Sequence, residues 1–367
     1  MSASASVLIH YTLIYLHTHI FIIIMKKLLT ALLAMSALTM ANAQHHFDAN
    51  YPDVHDPVMA KGEDGRYYMF TTGFGVGVMS SADMKVWQQE KPIFGRDEIP
   101  AWAKDTVPGY MGHTWAPDIS YQQGQWLCYY SCSTFGKNGS AIGLAVNKTL
   151  DVNSPDFKWQ DKGLVIASHK GKDNWNAIDP NLVIDQQTGA PYLTYGSFWD
   201  GIQLVALDKD FQTPLAAPTT IARRIDHHRD LKDIEFTVEN GRDTIEAGDN
   251  AIEAPFMIYN DGYYYLFVSW DYCCRGKNST YKTVYGRSRS ITGPFLDRNG
   301  QDMAFGGGTM LVGPTDRYFG MGHNSAYQFD GKWYFICHAY DSEVGARSKL
   351  YVRPMTFNQD GWIEIEK

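Results

Sequence analysis

Three carboxylic acids in this chain stand where an apolar run is about to begin: Asp56 in "VHDPV", Asp179 in "WNAIDPNL" and Glu253 in "IEAPFM". A single Asp-Pro is ordinary turn chemistry, and an acid ahead of a strand often caps a loop. Three acids at corresponding places of a repeating pattern are harder to explain as caps. Carboxylates brought together repel one another, raise one another's pKa and cost stability. A pocket that uses one carboxyl as an acid, a second as a base and a third to tune them accounts for that cost.

The elements that must carry these acids are strands. One pattern recurs five times: a short opening, a strand, a Gly-containing turn, and a strand rich in Tyr, Trp and Phe. The instances are "DPVMAKGEDGRYYMFTTG" from Asp56, "APDISYQQGQWLCYYSCS" from Ala116, "DPNLVIDQQTGAPYLTYGS" from Asp179, "APFMIYNDGYYYLFVSWD" from Ala254 and "HNSAYQFDGKWYFICHAY" from His323. The turns Glu63-Asp64-Gly65, Gln123-Gly124, Thr188-Gly189, Asp261-Gly262 and Asp330-Gly331 carry strong hairpin chemistry. Further strands follow in "SAIGLAVNKTLDV", "GIQLVALDKDF", "KTVYGRSRSITGPF" and "SKLYVRPMTFN". Five such units predict an all-β fold, a five-bladed β-propeller, which closes an array of sheets without long free edges. The competing architecture is a β-sandwich with added hairpins. In a propeller the residues opening each unit's first strand line the central axis, so the three acids are expected to converge there, each at the same place in its repeat.

Residues 25–43, "MKKLLTALLAMSALTMANA", have the charged start, apolar middle and small-residue end of a secretory signal cleaved before Gln44. Residues 1–24 read as an upstream leader and 44–367 as a single propeller domain, with a periplasmic or secreted location. A net charge of −8, without a basic cluster or a phosphate-binding glycine loop, argues against nucleic acid. Abundant aromatic residues and glycine suit sheets and sugar-stacking surfaces. The five cysteines show no Cys-x-x-Cys spacing and are expected as buried thiols with an occasional bridge.

Across "VHDPV", "HTWAPDI", "STFGKNGSAIGLA", "WNAIDPNL", "YGSFWDGIQL", "IEAPFM", "SWDYCCRGKNSTYK", "GRSRSITGPF" and "GMGHNSAY" the chain resembles glycoside hydrolase family 43, and within it the endo-1,5-α-L-arabinanases. The resemblance implies a five-bladed propeller that hydrolyses α-1,5-linked arabinofuranose chains with inversion at the anomeric carbon. On matching motifs, Asp56 is the general base, Glu253 the general acid and Asp179 the residue that tunes and orients Glu253 by like-charge repulsion. Trp115 and Phe135 are then walls of the sugar subsites, with Asn176, Ser197, Phe198 and Trp199 around the sugar beside Asp179. His323 opens the fifth unit. The resemblance assigns it to an axial ion, calcium or sodium, and no organic cofactor is implied. His113 and His338 lie near motifs but show no ligand spacing that would recruit them.

Two other functions fit the same residues. An exo-acting arabinofuranosidase or β-xylosidase of the family would use the same three acids in a closed pocket, and a non-catalytic sugar-binding propeller would keep the aromatic platforms. Retention of all three acids disfavours the second. The expected partner is arabinan or an arabino-oligosaccharide bound by a monomer, with no membrane attachment after signal cleavage. "AFGGGTMLVG", 304–313, lacks the ending of a phosphate loop and reads as a connection between units, and "RRIDHHRDLKDIEF", 223–236, as a solvated insert.

Overall fold

The computed structural model describes residues 47–224 and 250–366. The segments read as leader and signal, and most of the 223–236 insert, lie outside them. From Asp48 onward the chain is all-β, built of consecutive antiparallel meanders.

The first meander is β1 (Val58–Lys61), β2 (Tyr67–Thr71), β4 (Gly77–Ser81) and β5 (Trp87–Gln89), with the two-residue β3 (Gly73–Phe74) leaving it to pair with the second. A one-and-a-half-turn helix, α1 (Ala101–Thr106), precedes that second meander: β6 (His113–Gln122), β7 (Gln125–Cys132), β8 (Ser140–Asn147) and β9 (Gln160–Ser168). The third is β10 (Asn181–Ile184), β11 (Pro191–Tyr195), β12 (Ile202–Ala206) and β13 (Thr219–Ala222). Next come β14 (Ile252–Asn260), β15 (Tyr263–Trp270), β16 (Lys282–Ser288) and β17 (Thr309–Val312), and then β18 (Tyr318–Phe329), β19 (Lys332–Asp341), β20 (Arg347–Phe357) and β21 (Ile363–Ile365). These last two meanders are joined by one parallel bridge, Lys282 to Met321. The 304–313 stretch is therefore not only a connection. Thr309–Val312 pairs with β16 as the outer strand of the fourth meander.

All five expected hairpins form, three of them as two-residue turns and two, at 62–66 and 185–190, as longer connections with Gly65 and Gly189 at positive φ. Gln123-Gly124, Asp261-Gly262 and Asp330-Gly331 each place both residues at positive φ, the geometry of the type I′ turn that matches strand twist. Residues 122 and 125, 260 and 263, and 329 and 332 pair directly across them. Inner strands such as β7, β8 and β15 are buried on both faces, since each meander lies between two others, and so they read as near-continuous apolar runs. The first strands adjoin one another in order: β1 beside β6, β6 beside β10, β10 beside β14, β14 beside β18, and β18 beside β1.

Candidate active site

Each meander opens on a non-glycine residue in left-handed backbone: Asp56 (φ 53°), Ala116 (44°), Asp179 (59°), Ala254 (57°) and His323 (50°). Such a conformation costs of the order of 1–3 kcal/mol and persists only where its surroundings hold it. Here the holding is uniform. The N–H of Ala116 donates to Thr72 Oγ1 at 2.8 Å, that of Asp179 to Ser131 Oγ at 3.0 Å, that of His323 to Ser269 Oγ at 2.8 Å and that of Asp56 to His338 Nδ1 at 3.3 Å. In every case the acceptor lies in the last residues of the second strand of the preceding meander or, for Thr72, directly after it. The third meander carries Gly196 at this place, which has no side chain to offer, and the N–H of Ala254 donates instead to Oδ2 of Asp179 at 3.1 Å.

This frame corrects the expectation that the three acids share one repeat position. Asp56 and Asp179 occupy the left-handed place, but Glu253 stands one residue earlier, paired with Ser269 as Trp115 is with Ser131. Bulges between Glu253 and Phe256 and between Trp115 and Asp118 absorb the difference in register. The frame also corrects the reading of His338. It is fully buried, takes the Asp56 N–H and lies against His55, the two rings tilted with centroids 4.1 Å apart.

The environments push the titratable groups apart. Burial raises the Asp56 carboxyl, but the His323 charge and hydrogen bond outweigh it, with Nδ1 to Oδ1 at 3.0 Å, and hold Asp56 well below the carboxylate range. For His323, burial opposes charging, yet Asp56, Asp179 and Glu253 push it up to about 9. Asp179, 5% exposed, is raised well above its ordinary value by burial first and then by the negative charges of Glu253 and Asp56. Burial is also the first cause raising Glu253, with Asp56 adding to it, while the Ser197 and Tyr281 hydroxyls act in the opposite direction. Repulsion is therefore secondary to desolvation at Glu253. One carboxyl pushed toward its ionised form beside two pushed toward their protonated forms is a division suited to base and acid roles.

The substrate-side expectations separate. Ser197 reaches Glu253, its hydroxyl donating to Oε2 at 2.8 Å, and Phe198 N–H donates to Ile252 O at 2.7 Å, so the "SFW" turn is stitched to the start of β14. Phe198 also lies against Tyr272, centroids 5.9 Å apart. Trp199, only 8% exposed, is mainly a core residue. Asn176 is buried beside Asp179 with its Oδ1 lacking a partner among the described residues. Trp115 is part-exposed and its Nε1–H donates to His113 Nδ1 at 2.8 Å, which gives His113 a place the sequence did not reveal. Phe135, 80% exposed, projects from the β7–β8 loop.

For an axial ion, the nearby donor atoms are those of His55, Asp56 and His338, all within 4.8 Å of one another. His323 has its Nδ1 committed to Asp56. Imidazole nitrogens with one carboxylate do not make the six-to-eight-oxygen shell that calcium takes. These side chains do not fit calcium, and no chemical step is derived through an ion. Elsewhere, Cys273 and Cys274 are bonded to each other, while Cys128, Cys132 and Cys337 are buried free thiols.

Comparison with known proteins bears on the chemistry. The chain is 58% identical to a solved exo-1,5-α-L-arabinanase from a bovine ruminal metagenomic library, covering 88% of this chain and 99% of that one with a TM-score of 0.80. It is 43% identical to an extracellular exo-α-(1→5)-L-arabinofuranosidase of Cellvibrio japonicus, over 91% of this chain and 92% of the relative. It is 40% identical to an extracellular endo-α-(1→5)-L-arabinanase of Bacillus subtilis, over 84% and 86%. The profile of glycosyl hydrolases family 43 matches residues 51–363, and the chain belongs to that family.

Proposed function

We propose that this chain hydrolyses the α-1,5-linked L-arabinofuranosyl bonds of arabinan by inverting general acid/base catalysis, on a five-bladed propeller whose blades are the five meanders. The observation that carries the chemistry is the opposite displacement of two carboxyls in one ring of strand openings: Asp56 held ionised, Glu253 raised. Asp56 takes a proton from water on one face of the sugar. Glu253 delivers a proton to the leaving oxygen on the other, and the single displacement inverts the anomeric centre. Asp179 acts through the backbone of Ala254, next to the acid, and through its electrostatic coupling to the Glu253 carboxyl. Trp115, Phe198 and the exposed Phe135 supply apolar faces for sugar rings.

The mode of attack has two readings. The motifs around Asp179 and in the Cys273-Cys274 loop favour internal cleavage. The 58% and 43% identities to proteins named exo-acting, against 40% to one named endo-acting, favour release from a chain end, and this is the reading we adopt. The relatives named extracellular support a secreted enzyme, and among the described residues no helix is long and apolar enough to cross a membrane. We take it to act as a monomer.

The test is a product time course on linear α-1,5-arabinan, resolving oligosaccharide size and anomeric configuration from the first minutes. Arabinose or one fixed oligomer with inverted configuration supports chain-end release. A spread of intermediate sizes replaces that mode with internal cleavage. Retained configuration or no product overturns the proposal.

A further inference from the structure

One chain of polar contacts, two hydrogen bonds and a longer electrostatic contact, reaches Asp56 from outside the ring of strand openings. The loop after β15 carries the bonded pair Cys273–Cys274, with Cys274 in left-handed backbone at φ 65°. The N–H of Cys274 points at the hydroxyl oxygen of Tyr340 at 2.9 Å, and the same oxygen lies 3.0 Å from Nε2 of His55. The opposite ring nitrogen of His55, Nδ1, is 3.6 Å from Oδ1 of Asp56.

The direction of this chain follows from its first member. A backbone amide only donates, so the Tyr340 oxygen accepts from Cys274, and a contact from the Ser279 hydroxyl acts on the phenol in the same sense. The phenol's own hydrogen is then free to go to Nε2 of His55. Burial keeps that hydrogen in place by raising the phenol to about 12. A neutral imidazole that accepts at Nε2 carries its proton on Nδ1, the nitrogen facing Asp56. The Tyr340 ring has no freedom to abandon the arrangement: it is 5% exposed, and a Cβ added to Gly320 would come within 2.7 Å of it. His55 is further confined by the His338 ring, tilted against it with centroids 4.1 Å apart.

We propose that Tyr340 is a positioning residue for the reaction: held by the amide of Cys274, its hydroxyl fixes the tautomer of His55 so that a donor N–H faces Asp56. With His323 on Oδ1 and Thr72 on Oδ2, His55 completes a set of donors that orient the carboxylate toward water. The inference rests on the reading of Asp56 as the base.

The test uses the full chain labelled with 15N-histidine. Long-range 1H–15N correlation at about pH 8, well above the ordinary imidazole pKa, reads the tautomer of each neutral histidine. The His55 signal is identified by its loss in His55→Gln. The expected result is the Nδ1–H tautomer for His55 in the wild type and a mixed or reversed signal in Tyr340→Phe. That variant keeps KM within about twofold while kcat falls about 5- to 10-fold, in line with loss of orientation rather than of substrate binding. An Nε2–H tautomer in the wild type overturns the proposal, and so does an unchanged kcat in a folded Tyr340→Phe. If that variant does not fold, the wild-type tautomer alone decides. Full activity in Asp56→Asn would instead remove the base reading while leaving the tautomer result standing, so the two failures are distinguishable.

Discussion

The hydroxyl of Ser197 donates a 2.8 Å hydrogen bond to Oε2 of Glu253, across an isolated antiparallel bridge that joins the backbones of the two residues. The bond favours the ionised form of Glu253 and opposes the burial that raises its pKa. Ser197→Ala therefore raises the Glu253 pKa further. On the proposed mechanism Glu253 must be protonated to act, so activity is lost as pH rises through that pKa. The alkaline limb of the kcat/KM profile in Ser197→Ala is expected at higher pH than in the wild type, with kcat lower by about 3- to 10-fold from the lost charge-assisted bond. A limb that stays in place or moves to lower pH would show that Glu253 is not the group titrating there.

Glu253→Gln and Asp56→Asn keep size and much of the hydrogen bonding while removing proton transfer. Each is expected to lower kcat by about 10²- to 10⁴-fold on arabino-oligosaccharides. Because Asp56 also receives Thr72 and His323, its amide variant loses some stability as well, whereas Glu253→Gln relieves a carboxyl that burial disfavours and melts at or above the wild-type temperature. Kinetics alongside thermal melts check both parts. Near-normal turnover in Glu253→Gln would remove it from the acid role.

The hairpins and the convergence of acids were legible in the sequence because type I′ turns have a two-residue signature and strand openings repeat. Glu253's offset of one residue was not, since a bulge is a feature of pairing and "IEAP" alone looks like "AIDP" with a different acid. His338 was hidden for another reason. It meets Asp56 only because the last meander adjoins the first, a closure that spans nearly the whole described chain. His113 beside Trp115, two residues apart on β6, could have been found from alternation, which puts both on one face. The pairing of Cys273 with Cys274 carries no spacing signal of the kind that separates a bridge from two buried thiols.

Away from the candidate site, the Arg317 guanidinium grips the fully buried Asp341 carboxylate, Nε to Oδ1 at 3.0 Å and Nη2 to Oδ2 at 2.6 Å, and Tyr51 donates to Oδ2 at 2.7 Å. Asp341 is thereby held down at about 2 from an ordinary 3.8. A depressed carboxyl contributes stability that is fully present above its unfolded pKa and lost as pH falls through the folded one. That contribution, about 2 kcal/mol, is expected to disappear between pH values of about 4 and 2. Asp341→Asn should lower the melting temperature at neutral pH and flatten its acid dependence in that window. An unchanged slope there would mean that Arg317 and Tyr51 do not stabilise the ionised carboxyl.

Asp179 has two duties, and two substitutions separate them. On the proposed mechanism its ionisable carboxyl takes part in the chemistry, whereas its Oδ2 accepts the N–H of Ala254, where Gly196 has no side chain to offer. Asp179→Asn keeps a carbonyl oxygen at that point, so it is expected to melt within a few degrees of the wild type while losing about 10²-fold or more in kcat. Asp179→Ala removes the acceptor, leaves a buried amide unpaired beside Glu253 and releases a left-handed residue from its tether. It is expected to lose about 1–3 kcal/mol of stability in addition to activity. Filling the gap from the other side is closed off: Gly196 has φ 133°, and a Cβ there would lie 2.5 Å from the Gly201 carbonyl oxygen. Gly196→Ser should therefore fail to rescue Asp179→Ala and should itself destabilise the fold. Equal melting temperatures for Asp179→Asn and Asp179→Ala would assign the residue to charge alone and leave the Ala254 amide without a structural role.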